Sequence, residues 1–115
     1  MAHLNLDYLR ENVSDDDEFI HQLLQVFLDS TADDLVALED AIKSADHEQV
    51  KRAAHKVKSS FRSLGMLRIT ELLQRLEDMA RNNHDIEEIV SVHNSFLIAY
   101  PSVREEVQMT LDQGK

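Results

Sequence analysis

The residues best equipped for chemistry lie between Gln49 and Thr70. This run contains no Asp or Glu, yet it holds Lys51, Arg52, Lys56, Lys58, Arg62 and Arg68, six of the chain's twelve Lys and Arg residues. The rest of the chain carries the other six and all 22 Asp and Glu residues. At the centre stands His55, with Ser59 one helical turn further on. A histidine with the reference pKa of about 6.5 is mostly neutral at pH 7, and neutral imidazole is a competent nucleophile. Clustered cations suit a phosphoryl group, which carries about two negative charges. Take this run as a helix at about 100° per residue with Val50 at zero: Ala53, Ala54, Val57, Phe61 and Leu64 then mark the core side. His55 falls about 140° away, on the solvent side, with Lys51, Lys58, Arg62 and Arg52 within about 60° of it. A face of like charges repels itself, which points to a missing anionic ligand. The predicted site is an exposed nucleophile among cations, with Lys58, Ser59, Lys51, Arg52 and Arg62 contacting a phosphoryl group or the partner that brings it.

The other chemistries have weaker support. The chain has no Cys, so there is neither a disulfide framework nor a thiolate metal site. No two of its six histidines stand four apart, as a helical metal pair would. No Ser lies in a G-x-S-x-G elbow. His93 sits on an apolar stripe and is expected to be partly buried with a hydrogen-bond partner. His21, His47 and His84 fall at helix surfaces or turns, and His3 in the tail.

The elements that must position His55 are helices. Two Gly and one Pro in 115 residues are few for a turn-rich fold, and apolar residues recur at helical spacing nearly throughout. A short first helix is predicted after Asn5, around Leu6 and Leu9. A capping box of Ser14 and Asp17 opens a long second helix with Ile20, Leu23, Leu24, Phe27, Thr31, Leu35, Leu38 and Ile42 inward. Asp46 caps the helix of His55, which ends at Gly65. A fourth helix runs from about Leu67 to Arg81, with Ile69, Leu72, Leu73, Leu76 and Ala80 inward. Asp85 caps the last, with Ile86, Ile89, Val90, His93, Phe96, Leu97, Tyr100, Val103, Val107 and Leu111 inward and a kink or break at Pro101. One stripe per helix and short loops predict an all-α fold, an antiparallel up-down-up-down four-helix bundle with a short N-terminal capping helix, as one domain over 1–115.

On these residues the chain resembles a known family. "H-K-V-K-S-S-F-R-S-L-G" is similar to the signature of histidine-containing phosphotransfer (HPt) domains of bacterial multistep phosphorelays. That signature reads His, any residue, Leu, Lys, Gly, Ser or Ala, with Leu-Gly nine and ten residues beyond the His. His55 aligns with the phosphorylated histidine, Val57 with the Leu, Lys58 with the lysine that neutralises the phosphoryl group, and Leu64-Gly65 with the closing pair. Ser59 replaces the usual Gly, and Phe61 replaces a smaller residue. The resemblance implies a phosphocarrier, not an enzyme with kinase activity of its own. A receiver-domain aspartate would phosphorylate His55, which would pass the group to another receiver. It further implies two partners, the receiver of a hybrid sensor kinase and that of a response regulator. Mg²⁺ would come from the receiver, with no cofactor in this chain.

Charge and hydropathy bound the alternatives. A net charge of −10 argues against nucleic-acid or anionic-membrane partners. No stretch approaches the ~20 apolar residues of a membrane span. "MAHLNLDYLREN" lacks the basic start and apolar run of a signal peptide. A cytoplasmic monomer is expected, and Met1 with no flanking linker suggests a stand-alone protein. The reading from a different class is a non-catalytic helical adaptor or anti-activator that binds a signalling partner.

Overall fold

The computed structural model describes residues 3–113 and contains five helices, with no strand among the described residues. They are α1 (Leu6–Asn12), α2 (Asp17–Lys43), α3 (His47–Ser63), α4 (Leu67–Arg81) and α5 (Ile86–Gln113). The four long helices form a closed ring in which α3 packs on α2 and α4, and α5 on α4 and α2. Two pairs order the α2–α3 seam, Asp34 with Lys56 and Phe27 with Phe61. Two more order the α3–α4 seam, Lys58 with Gln74 and His55 with Glu77. In both seams the partner number falls as the α3 number rises.

Lengths explain the place of α1. The molecule extends 44 Å in its longest direction. The 28 residues of α5 account for most of that at about 1.5 Å per residue. With 17 and 15 residues, α3 and α4 are too short to match α2 and α5. The fully buried Leu9 of α1 fills the end that the short α3–α4 hairpin leaves open, and the Tyr8 ring lies over the turn at Gly65. The preceding segment is fixed to α5 by Glu106, whose carboxylate accepts from the backbone N–H groups of His3 and Leu4.

The core follows the stripes. Leu24, Leu38, Val50, Ala54, Phe61, Ile69, Leu73, Leu76, Ile89, Phe96, Val103 and Val107 are fully buried. The Phe61 ring meets Phe27, Phe96 and Tyr100 edge-on, at centroid distances of 5.0, 5.8 and 6.2 Å. The Phe at the motif position otherwise held by a smaller residue is therefore the centre of the core.

Four local expectations change. Asp16, not Ser14, caps α2: its Oδ1 accepts from Glu18 and Phe19 N–H, while Ser14 Oγ accepts from Asp16 N–H. The carboxylate wins because it sits next to the first turn and answers two orphan donors. Helix α5 runs unbroken through Pro101; Leu97, whose carbonyl loses its partner to proline, is exposed to water. Val90 and Leu97 lie at the margin of their stripe and are 38% and 43% exposed, while Val92 is buried in their stead. His93 is buried and stacked on Phe96, but no hydrogen bond reaches its ring among the described residues. Burial lowers its pKa, against a smaller raising effect of Glu39.

Gly65 closes α3 with φ +72°, and a Cβ there would stand 2.5 Å from Tyr8 Cδ1. Backbone strain and the clash together should make Gly65→Ala cost about 2–4 kcal/mol. Denaturant unfolding checks this, and the cost should shrink when Gly65→Ala is made in a Tyr8→Ala background.

Candidate functional site

His55 projects from the middle of α3 with 59% of its side chain exposed. Its Nδ1 lies 2.9 Å from Glu77 Oε1 on α4. Glu77 itself is only 5% exposed. Lys58 Nζ donates to the same Oε1 at 2.9 Å and to Gln74 Oε1 at 2.9 Å. Arg81 Nη2 donates to the other carboxylate oxygen, Oε2, at 2.7 Å, and Arg81 Nη1 to Asp78 Oδ1 at 2.8 Å. One buried carboxylate therefore binds an imidazole, an ammonium and a guanidinium.

The charge state of that carboxylate decides the chemistry. Burial alone would raise its pKa. Hydrogen bonds from Lys58, His55 and Arg81, with the Coulombic attraction of Lys58, outweigh burial and hold it at about 2. Glu77 is therefore ionised at neutral pH, and an ionised carboxylate can only accept hydrogen bonds. Nδ1 of His55 must be the nitrogen that bears the proton. In the neutral ring Nε2 then carries the lone pair, and it makes no hydrogen bond among the described residues. Tertiary contact across α3 and α4 thus leaves the lone pair of the neutral ring on its outward nitrogen.

The structure redistributes the cations expected around His55. Lys58 is not a solvent-facing cation: its side chain is 6% exposed. It lies about 80° from Val50 on the wheel, at the edge of the core stripe, where α4 covers it. Nor does the basic face repel itself unrelieved. Glu48 pairs with Lys51 at 3.1 Å and Arg52 at 3.4 Å, and Asp34 of α2 pairs with Lys56 at 2.9 Å. The counter-charges come from α2, α4 and the first turn of α3, outside the acid-free run. Arg62 is exposed and has no ion pair among the described residues. Ser59 Oγ donates to the His55 carbonyl at 3.0 Å, so its hydroxyl turns onto its own helix and not onto the imidazole. Arg68 lies apart from the site, in a cavity of about 670 Å³ at the α1 end, together with Arg10, Gly65 and Leu67.

Sequence reasoning missed Glu77, Arg81, Gln74 and Asp34. The one available signal was angular: Glu77 lies about 80° from Ile69 on the α4 wheel, at the same margin of its stripe as Lys58 on α3. Among the described residues no group of three or more His, Cys, Asp or Glu side chains could hold a metal ion. No helix is long and apolar enough to cross a membrane, among the residues described.

The family model of the Hpt domain matches residues 22–113, and the chain belongs to that family. Hpt domains are phosphocarrier modules of phosphorelays, not kinases, and they interact with receiver domains of kinases and response regulators. Neither the curated proteins nor the solved structures gave a match.

The Glu77 carboxyl lies below its ordinary 4.5 in the folded protein. Its contribution is complete above about pH 4.5, the value expected for the unfolded chain, and is lost as pH falls through about 2. The gap corresponds to about 3 kcal/mol. Glu77→Gln should cost a similar amount at pH 7, because Lys58 is left buried without its counter-charge. It should also flatten the stability profile between pH 4.5 and 2. Urea unfolding of both proteins across that range checks the sign and size.

Proposed function

We propose that this chain is a phosphorelay intermediate in which His55 Nε2 accepts a phosphoryl group from a receiver aspartate and passes it to the aspartate of another receiver. The supporting observation is the Nδ1–Glu77 contact, which leaves the Nε2 lone pair on an exposed ring. In the transfer, that lone pair attacks phosphorus of the aspartyl phosphate. The P–N bond forms as the P–O bond to aspartate breaks, and the bonding pair leaves with the aspartate carboxylate. The ring becomes a phosphoryl-imidazolium that keeps its Nδ1 proton, and the ionised Glu77 offsets the positive charge that develops there. Reversal onto a second receiver restores the starting state. Mg²⁺ belongs to the receiver, and no step requires a cofactor in this chain.

The scaffold reading is an antiparallel up-down-up-down bundle, supported by the reversed pairing order along α2–α3 and α3–α4. We take residues 1–115 as one domain that works as a cytoplasmic monomer, where receivers are found. Receivers dock on the exposed side of α3. Ser59 keeps that side low beside His55, and the exposed Val26 borders an apolar groove of about 120 Å³ with Ser60, Ser63 and Leu64. Lys51, Arg52 and Arg62 face the acidic pocket of the receiver and steer its approach. The surface pairs of Lys51 and Arg52 with Glu48 are worth at most about 1 kcal/mol and yield readily to a partner.

Incubation with a phosphorylated receiver should add one phosphoryl group, labile in acid and stable in base. His55→Gln should abolish the gain and shift stability by no more than about 1–2 kcal/mol, through the hydrogen bond to Glu77. Mass spectrometry and thermal unfolding check both. Absence of any gain in the wild type would favour the non-catalytic adaptor, and a gain retained in His55→Gln would move the acceptor elsewhere.

A further inference from the structure

We infer that the outer face of α5 pairs with the same face of a second copy of this chain, antiparallel and centred on Ile98. From Ile89 to Val103 the helix carries no Asp, Glu, Lys or Arg, the longest such run in a chain that is 30% charged. At about 1.5 Å per residue it covers about 22 Å. Its inward residues Val92, His93, Phe96 and Val103 belong to the core. Its water-facing side is uncharged as well: Val90, Leu97, Ile98 and Pro101 are exposed there among Ser and Asn. Ile98 is 81% exposed. Outer faces elsewhere in the bundle are charged, with Asp29, Asp33 and Asp40 exposed on α2 and Arg68, Glu71 and Arg75 on α4. An apolar centre in an uncharged surround is the composition of a contact, not of a solvated helix.

Charge selects the occupant. Two chains of net charge −10 repel each other, so they approach best where neither presents charge. The α5 face meets that condition, whereas the acidic α2 face would repel itself. Orientation follows from the residues at the ends of the run. On the helical wheel Glu87, Ser91, Glu105 and Met109 all lie within about 20° of Ile98. A parallel pair would set Glu87 against Glu87 and Glu105 against Glu105. An antiparallel pair about a twofold axis at Ile98 sets Glu87 against the partner's Met109 and Glu105 against the partner's Ser91, so no like charges meet along its centre. Helix α5 packs on α2 and α4 and lies diagonally across from α3. The pair therefore leaves both His55 rings open to receivers. A strip about 22 Å long and one helix wide, about 10 Å, falls well below the ~800 Å² per partner of a standard interface. The pair is accordingly weak and reversible, and the single chain remains the unit that meets a receiver.

The test is sedimentation equilibrium of the full chain from about 10 μM to about 1 mM, at low and at high salt. A monomer–dimer equilibrium should appear and tighten as salt rises, because screening relieves the repulsion between like net charges. Receiver docking, steered by opposite charges, should weaken with salt instead. Ile98→Glu should weaken self-association at least about tenfold by setting like charges face to face. Its helicity and its transfer to and from receivers should stay as in wild type. The chain has no Cys, so single-cysteine variants read the register directly. Under mild oxidation Ile98→Cys should link to itself, while Glu87→Cys should link to Met109→Cys in a mixture and not to itself. A single chain at every concentration and salt would overturn the pairing and leave the face to a different protein. A dimer indifferent to Ile98→Glu would place the contact elsewhere, and self-linking of Glu87→Cys would make it parallel; either result overturns the pairing. A transfer defect in Ile98→Glu would assign the face to receivers and overturn it too. Failure of His55 to accept a phosphoryl group would overturn the acceptor reading alone, since none of the association measurements depends on it.

Discussion

Everything at the site depends on one ionised carboxylate kept out of water. A buried Glu without partners would take up a proton, and a protonated Glu77 could offer a donor as readily as an acceptor to His55. Lys58 and Arg81 prevent that, and Gln74 completes the coordination of Lys58. The ionised acceptor then leaves the imidazole a single arrangement, protonated inward at Nδ1 and open outward at Nε2. A surface histidine thereby acquires a fixed tautomer and a fixed orientation without being buried.

Such a device needs accurate register between α3 and α4. His55 and Lys58 are one turn apart on one helix, and Glu77 and Gln74 one turn apart on the other. A turn closed by Gly65 sets the offset. Its left-handed conformation ends α3 abruptly, and α4 begins two residues later at Leu67. Phe61 anchors α3 against α2 and α5 through three edge-on ring contacts, while Val57 and Ile69 are buried beneath the seam. α1 covers the end of the hairpin. His55 and Lys58 meet Glu77 and Gln74 across the seam, and those contacts depend on holding the two helices at one offset.

Much of this was legible in the sequence because it is local. Helix extents follow from apolar spacing, the end of α3 from Gly65, and its start from Asp46, whose side chain accepts from Gln49 N–H. The exposure of His55 follows from its angle on the wheel. Caps with several acidic candidates were harder: Ser14, Asp15, Asp16 and Asp17 all suit the start of α2, and only backbone geometry chooses Asp16. Lys58 and Glu77 were misread or missed for a different reason. Each lies at the edge of an apolar stripe, where a charged residue is solvated or enclosed according to what the neighbouring helix brings. That is a property of two helices together. The acid-free run likewise gave no view of Asp34 or Glu77, which neutralise it from other elements. An i, i+4 reading cannot see charge across a seam.

The central claim concerns a proton position, and ¹⁵N–¹H correlation spectroscopy of the His55 ring at neutral pH observes it directly. The neutral form of the ring is expected to carry its proton on Nδ1 and a lone pair on Nε2, with a mixture of tautomers once Glu77 is replaced by Gln. A wild-type ring protonated at Nε2, or one indifferent to the loss of Glu77, would contradict it.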